Sequence, residues 1–145
     1  TNKTYPVFVY GTLKIGFPNF RMNTGTYSGR CKTRDCYPLY LVGSRWSPWL
    51  LSTVNEGYQV DGQLFMLDDQ ALFSMDQLER VSFDDGYRRV QLAVICEQTG
   101  QELLAYSYVK SPGQLHSPDI RLGPLSGYDI DHATRYKPRT PAGDN

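Results

Sequence analysis

Two ten-residue runs face each other across a four-residue turn, and this pairing most constrains what the chain can become. Residues 87–96 (YRRVQLAVIC) place Val90, Leu92, Val94 and Cys96 on one side, residues 97–100 (EQTG) turn, and residues 101–110 (QELLAYSYVK) return. A side-chain period of two on either side of a short glycine-containing turn predicts an antiparallel hairpin. A lone hairpin is marginal in water, so it must be completed by further strands. Residues 5–10 (YPVFVY) are a continuous apolar run ending at Gly11, the pattern of a strand buried on both faces. Residues 37–42 (YPLYLV) offer another, with Pro38 marking an edge or a strand start. Residues 58–67 (YQVDGQLFML) alternate, with Tyr58, Val60, Gly62, Leu64 and Met66 on one face. Several short strands, many Gly/Pro turns and one evident helix predict a small closed or half-closed sheet.

That helix is expected over residues 68–79 (DDQALFSMDQLE). Asp68 and Asp69 suit its N-terminus, where a side-chain oxygen caps a free N–H and negative charge meets the positive dipole end. Ala71, Leu72, Met75 and Leu78 form the apolar stripe. Glu79, four residues after Met75 and seven after Leu72, falls within that stripe rather than opposite it. Partial burial and the negative end of the helix dipole both disfavour its charge, so its pKa is expected to rise toward neutrality, which suits a general acid/base. The competing reading is a frayed helix end, with the carboxylate in water or paired to Arg80, Arg88 or Arg89.

The chain has 145 residues, enough for one domain with its own core. The domain is expected over residues 1–139, with 140–145 as a frayed tail. Fifteen basic residues balance fifteen acidic ones. Neutrality argues against nucleic acid and membrane surfaces as partners, since both call for a basic excess. No apolar run approaches the roughly 18–20 residues of a membrane span. The first residues carry neither the basic start nor the long apolar segment of a secretory leader. Cys31, Cys36 and Cys96 are odd in number and lack CxxC spacing, and only His116 and His132 could join them on a metal. Three reduced thiols in a cytoplasmic protein are expected.

A second candidate for chemistry is the junction Tyr10-Gly11-Thr12-Leu13 after the first strand. A strand that breaks at glycine can turn successive N–H groups toward one point, a nest for a carboxylate or an oxyanion; the alternative is an ordinary turn. Lys14 and Gly16 follow in the wrong order for a phosphate loop. Ser126 lacks a nucleophile elbow, no local motif supports a Cys–His pair, and Asp84 and Asp85 before Gly86 read as a turn. Trp46 and Trp49 around Pro48 read as a surface loop held by an aromatic plug. The 11 tyrosines, without a basic excess, are expected to pack the sheet and line a cavity rather than stack on bases.

VFVYGTLKIGFPN (residues 7–19), SPWLL (47–51), VDGQLFMLD (60–68), MDQLERVSFDDGYRR (75–89) and YDIDHATRYKPR (128–139) occur in this order along the chain. In them the chain resembles the γ-glutamylcyclotransferase-like superfamily, and within it the branch that acts on γ-glutamylamines. The resemblance implies an α+β fold: a small mixed β-barrel with short surrounding helices. It implies release of 5-oxoproline from a small γ-glutamyl substrate, γ-glutamyl-ε-lysine first among candidates, by a monomer without metal or cofactor. It maps the catalytic carboxyl onto Glu79 and the substrate loop onto Tyr10, Gly11, Thr12 and Leu13. Arg80 departs from the small residue often found after that Glu, and residues 82–86 have their own local sequence. Both leave leaving-group preference open. γ-Glutamyl-amino acids as substrates, a barrel that binds without turnover and an aromatic-faced RNA-binding barrel are the alternatives.

Overall fold

A computed structural model describes residues 3–138. The tail expected at 140–145, and with it the far boundary of the domain, lies outside the described residues. Five strands close a barrel in the order β1-β5-β2-β6-β7, with β1 Thr4–Val9, β2 Thr26–Thr33, β5 Asp61–Asp68, β6 Arg88–Cys96 and β7 Glu102–Val109. The mixed character comes from one seam: β1 runs parallel to β7, with Val7 opposite Tyr106, and every other barrel pairing is antiparallel. The expected hairpin is β6–β7, in register from Arg88↔Val109 to Ile95↔Glu102. A second sheet, ordered β4-β3-β8, is built from β3 Leu39–Val42, β4 Ser47–Leu50 and β8 Ile120–Leu122. It joins the barrel where Leu51 bridges Lys110.

The fold is the expected α+β barrel with short helices: α1, Asp69–Leu78, and the single turn α2, Ile130–Ala133. Asp68 caps α1, its side chain accepting from the Ala71 N–H at 2.8 Å. Ala71, Leu72 and Met75 are buried on β1 and β5. This explains the unbroken apolar run of β1. Phe8 points into the barrel, while Val7 and Val9 lie under α1, and none of the three is more than 4% exposed. Phe65 and Leu67 of β5 are buried under the same helix, so both faces of that strand are covered as well.

Three strands differ from the sequence expectation. β2 carries too few apolar residues to register as a strand, because a bulge between Tyr27 and Gly29 breaks its alternation and only Cys31 and Thr33 are buried. β8 is only three residues long. The segment around Pro48 is no surface loop: Ser47, Pro48 and Leu50 are buried in β4. Pro48 is tolerated because β4 is an edge strand, where a missing N–H breaks no ladder. Likewise Pro38 immediately precedes β3, which is the middle strand of its sheet and starts at Leu39.

Gly62 faces the barrel interior where a Cβ would sit 2.5 Å from the Val9 carbonyl oxygen and 2.6 Å from the Phe8 ring. Gly62→Ala is therefore expected to cost about 1–3 kcal/mol through overpacking, lowering Tm by several degrees in a melt. Gly113→Ala, where nothing lies within 4 Å, is expected to leave Tm unchanged. Equal shifts in the two variants contradict the packing.

Candidate active site

Glu79 sits at the C-terminal end of α1, and its backbone is tied on both sides. Its N–H donates to Met75 O at 2.9 Å, and its carbonyl accepts from the Tyr87 N–H at 3.0 Å. The helix then stops in two bonds, Arg80 N–H to Gln77 O and Val81 N–H to Asp76 O, the pattern that ends a helix with a left-handed residue. That residue is Arg80, at φ 57°. A side chain in this conformation costs roughly 1–2 kcal/mol. Arg80 offsets this by pairing with Asp85 at 3.2 Å and lying over the Phe83 ring.

The loop after β1 reaches the same place from the other side. Its carbonyls are taken up internally: Gly11 O accepts from the Lys14 N–H, Thr12 O from the Asn19 N–H and Leu13 O from Asn23 Nδ2. Gly11 is required, since a Cβ there would lie 2.7 Å from Pro48 Cγ. Lys14 turns away from the cavity, its ammonium donating to the Tyr128 carbonyl and lying 4.3 Å from the Phe17 ring centroid. Burial lowers its pKa to about 8, partly opposed by Asp129 and Asp61. It pins the loop to the segment before α2 and takes no phosphate.

Glu79 and all four loop residues, Tyr10, Gly11, Thr12 and Leu13, line one cavity of about 340 Å³. Its walls add residues that periodicity and motif did not single out: Asn19, Arg21, Arg45, Tyr87, Tyr108 and Tyr136 among them. Pro48 and Ser47, within SPWLL, and Tyr136, within the last matching segment, were flagged only by resemblance. Arg21 and Arg45 carried no signal. Four tyrosines in one cavity fit the expectation that the phenols pack the sheet and line a pocket.

Those phenols form a fixed frame. Tyr10 OH donates to Tyr108 O at 2.7 Å and accepts from the Leu50 N–H. Tyr87 OH donates to Pro48 O at 2.9 Å. Tyr108 OH donates to Asp76 Oδ1 at 2.6 Å, and Asp76 Oδ2 holds Arg89 at 2.8 Å. Asn19 Nδ2 donates to both Thr12 Oγ1 and Tyr136 OH. Burial chiefly, and the Glu79 charge as well, push the Tyr10 and Tyr87 pKa values up; for Tyr108, burial leads and the bond to Asp76 follows. The carboxylate of Glu79 is thus close enough to act on three phenols that all stay neutral at physiological pH. Among the described residues, no group of three or more His, Cys, Asp and Glu could hold a metal ion, and no helix is long and apolar enough to cross a membrane.

Residues 7–127 match the family model described as "Gamma-glutamyl cyclotransferase, AIG2-like". The chain is 34% identical to a γ-glutamylaminecyclotransferase of Bos taurus, over 92% of this chain and 82% of that protein. It is 31% identical to that of Homo sapiens, over 92% and 96%. A crystal structure of an AIG2-like protein from Mus musculus superposes with a TM-score of 0.82 at 29% identity, covering 94% of this chain and 97% of the other.

The buried phenols set an alkaline limit on the fold. For Tyr10, Tyr87, Tyr108 and Tyr128 the folded pKa lies above the unfolded value of about 10. Above pH 10 the unfolded chain therefore binds fewer protons, and stability falls as pH rises. Lys14 acts oppositely: with its pKa lowered from 10.5 to about 8, it adds stability as pH rises between those values. Stability is expected to hold or rise to about pH 10 and then collapse. In a spectrophotometric titration, the last tyrosinate absorbance should appear together with loss of far-UV circular dichroism. Complete ionisation in a still-folded protein contradicts this frame.

Proposed function

The chain belongs to the γ-glutamyl cyclotransferase, AIG2-like family of enzymes, and on that premise we propose that it is a γ-glutamylamine cyclotransferase whose substrate is γ-glutamyl-ε-lysine. The observation that carries this reading is a single cavity in which Glu79 meets the loop Tyr10-Gly11-Thr12-Leu13. The substrate brings its own nucleophile. Its α-amine attacks the γ-carbonyl, a C–N bond forms and a five-membered lactam closes. The bond to the leaving nitrogen then breaks, giving 5-oxoproline and lysine. Well-oriented intramolecular attack reaches effective molarities of about 10⁵–10⁸ M, so the protein needs no nucleophile of its own.

The protein has two tasks. One is proton traffic: Glu79 takes a proton from the α-ammonium and returns one to the departing amine, help worth about 10²–10⁴-fold. The other is to fold the glutamyl chain and stabilise the anionic tetrahedral intermediate. We assign the backbone N–H groups of Gly11, Thr12 and Leu13 to the substrate's anionic oxygens, where the loss of one donor typically costs about 10²–10³-fold. The neutral phenols of Tyr10, Tyr87 and Tyr108 hold the walls through bonds to Tyr108 O, Pro48 O and Asp76. The reading includes a monomer in the cytoplasm that acts on a small molecule.

Glu79→Gln is expected to keep its circular dichroism spectrum and lose kcat by at least about 10²-fold. The assay is mass-spectrometric detection of 5-oxoproline and lysine released from γ-glutamyl-ε-lysine. Parent-like turnover in the variant removes Glu79 from the mechanism. A parent that makes product from γ-glutamyl-amino acids alone overturns the substrate. A parent that binds 5-oxoproline yet makes no product from either set overturns the activity.

A further inference from the structure

A second cavity, of about 470 Å³, borders the first and shares Arg45, Ser47 and Tyr87 with it. Its remaining walls carry charges of both signs: Lys110, and Asp84, Asp85 and Asp119. Two of these charges are occupied. Lys110 is 4% exposed, lies 4.3 Å from the Trp49 ring centroid and donates to the Asp85 carbonyl. The Asp85 carboxylate holds Arg80. Arg45 differs: among the described residues, its guanidinium enters no ion pair and no side-chain hydrogen bond. Its charge nevertheless reaches the Tyr87 phenol, where it opposes the upward push of burial and Glu79. It therefore stands at the border between the cavities, on the side of the proposed general base.

The backbone holds Arg45 there. It lies in the turn between β3 and β4, with the Trp46 N–H donating to Gly43 O and the Arg45 carbonyl accepting from the Lys137 N–H at 2.9 Å. Asp119 O accepts from the Gly43 N–H at 2.9 Å, which ties the wall carrying Asp119 to the same turn.

We propose that Arg45 selects leaving amines that carry a carboxylate, and that the second cavity seats the amino-acid head of that amine. The proposal rests on the reading that the first cavity holds the γ-glutamyl group. A leaving lysine then has its ε-nitrogen beside Glu79 and its α-carbon at the far end of a flexible four-carbon stem, which crosses past Tyr87 and Ser47 into the second cavity. A guanidinium at the border suits a carboxylate by planar, charge-assisted hydrogen bonds. The exposed carboxylates of Asp84 and Asp119 suit the α-ammonium. A cavity of mixed charge fits a zwitterion better than a plain alkyl amine, whose tail would leave Arg45 without a counter-charge.

The test compares γ-glutamyl-ε-lysine with γ-glutamylcadaverine, the same molecule without the leaving group's carboxylate. The parent is expected to favour the lysine compound in kcat/KM, mainly through KM. In Arg45→Gln the ratio of the two kcat/KM values should fall by about 10- to 100-fold, the range for a lost hydrogen bond to a charged group. Arg45→Lys, which keeps the charge but not the planar fork, should restore part of the ratio. A ratio that survives Arg45→Gln overturns the proposal. Calorimetric binding of free lysine against cadaverine reads the same preference without turnover. If neither γ-glutamyl compound is cleaved, the activity reading fails. The binding preference then decides for Arg45: lysine over cadaverine in the parent and not in Arg45→Gln supports it, and no preference in the parent overturns it.

Discussion

β1 has no exposed face along its last three residues, and the rest of the molecule is arranged around that fact. Phe8 fills the barrel from inside, Val7 and Val9 are sealed from outside by α1, and the strand closes the barrel by pairing with β5 on one side and β7 on the other. A strand held on all four sides has little freedom where it ends. Two residues past its end comes Gly11, which lies so close to Pro48 that only a hydrogen fits. Packing energy gathered along β1 and α1 is thereby turned into positional accuracy for the loop that follows one and the carboxylate that ends the other. This is the general requirement of a catalytic site built on rigid elements.

The cavity between them is framed by phenols whose hydrogen bonds run to backbone carbonyls and to one buried-side carboxylate. Tyr10 stitches β7 to β4, Tyr87 reaches β4 from the end of the α1 connection, and Tyr108 ties β7 to α1 through Asp76. Each bond is local, yet together they span both sheets and the helix. Neutral phenols suit this role, because they brace a wall beside a carboxylate without adding a second charge that would compete for its proton. The proposed chemistry asks for little more, since a substrate that attacks itself needs folding, a proton acceptor and donors for an oxyanion.

The border with the second cavity is where the proposed selection of leaving groups would act. The β3–β4 turn carries Arg45, and its backbone bonds to the Lys137 N–H and, through Gly43, to Asp119 fix where that side chain starts. The turn is not part of the barrel's strand ladder, although Arg45 lines the same cavity as Phe8 and Val9 of β1 and Leu78 of α1. Under the proposed assignment the glutamyl half of a substrate would meet residues fixed by core packing. The leaving half would meet both buried residues, Ser47 and Lys110, and Arg45 of the β3–β4 turn, and loops held by a rigid scaffold are where binding preference commonly resides.

Much of this could be read from the residues alone. The β6–β7 hairpin, the doubly buried β1 and the capped helix with Glu79 on its buried side all follow from local periodicity and capping, which depend on neighbours a few positions away. The alternation expected over residues 58–67, by contrast, gives way to β5, Asp61–Asp68, which is buried on both faces. The break at Gly11 marked the loop Tyr10-Gly11-Thr12-Leu13 as a candidate, and the resemblance linked it to Glu79, which periodicity could not do across so long a separation. β2, β4 and β8 escaped, because a bulge, a proline and shortness each erase the alternation that marks a strand. Arg21, Arg45 and Tyr108 escaped for a different reason. Nothing in their local sequence distinguishes a cavity-lining side chain from a surface one; the difference arises only when the barrel closes and the β3–β4 turn folds over its mouth. The sequence by itself determined four of the five strands of the barrel wall, β2 excepted, and which carboxylate ends the helix on its buried side, since period and capping are properties of a few adjacent residues. Tertiary structure alone decided which phenols and guanidinium groups meet that carboxylate, because that meeting depends on contacts between segments far apart along the chain.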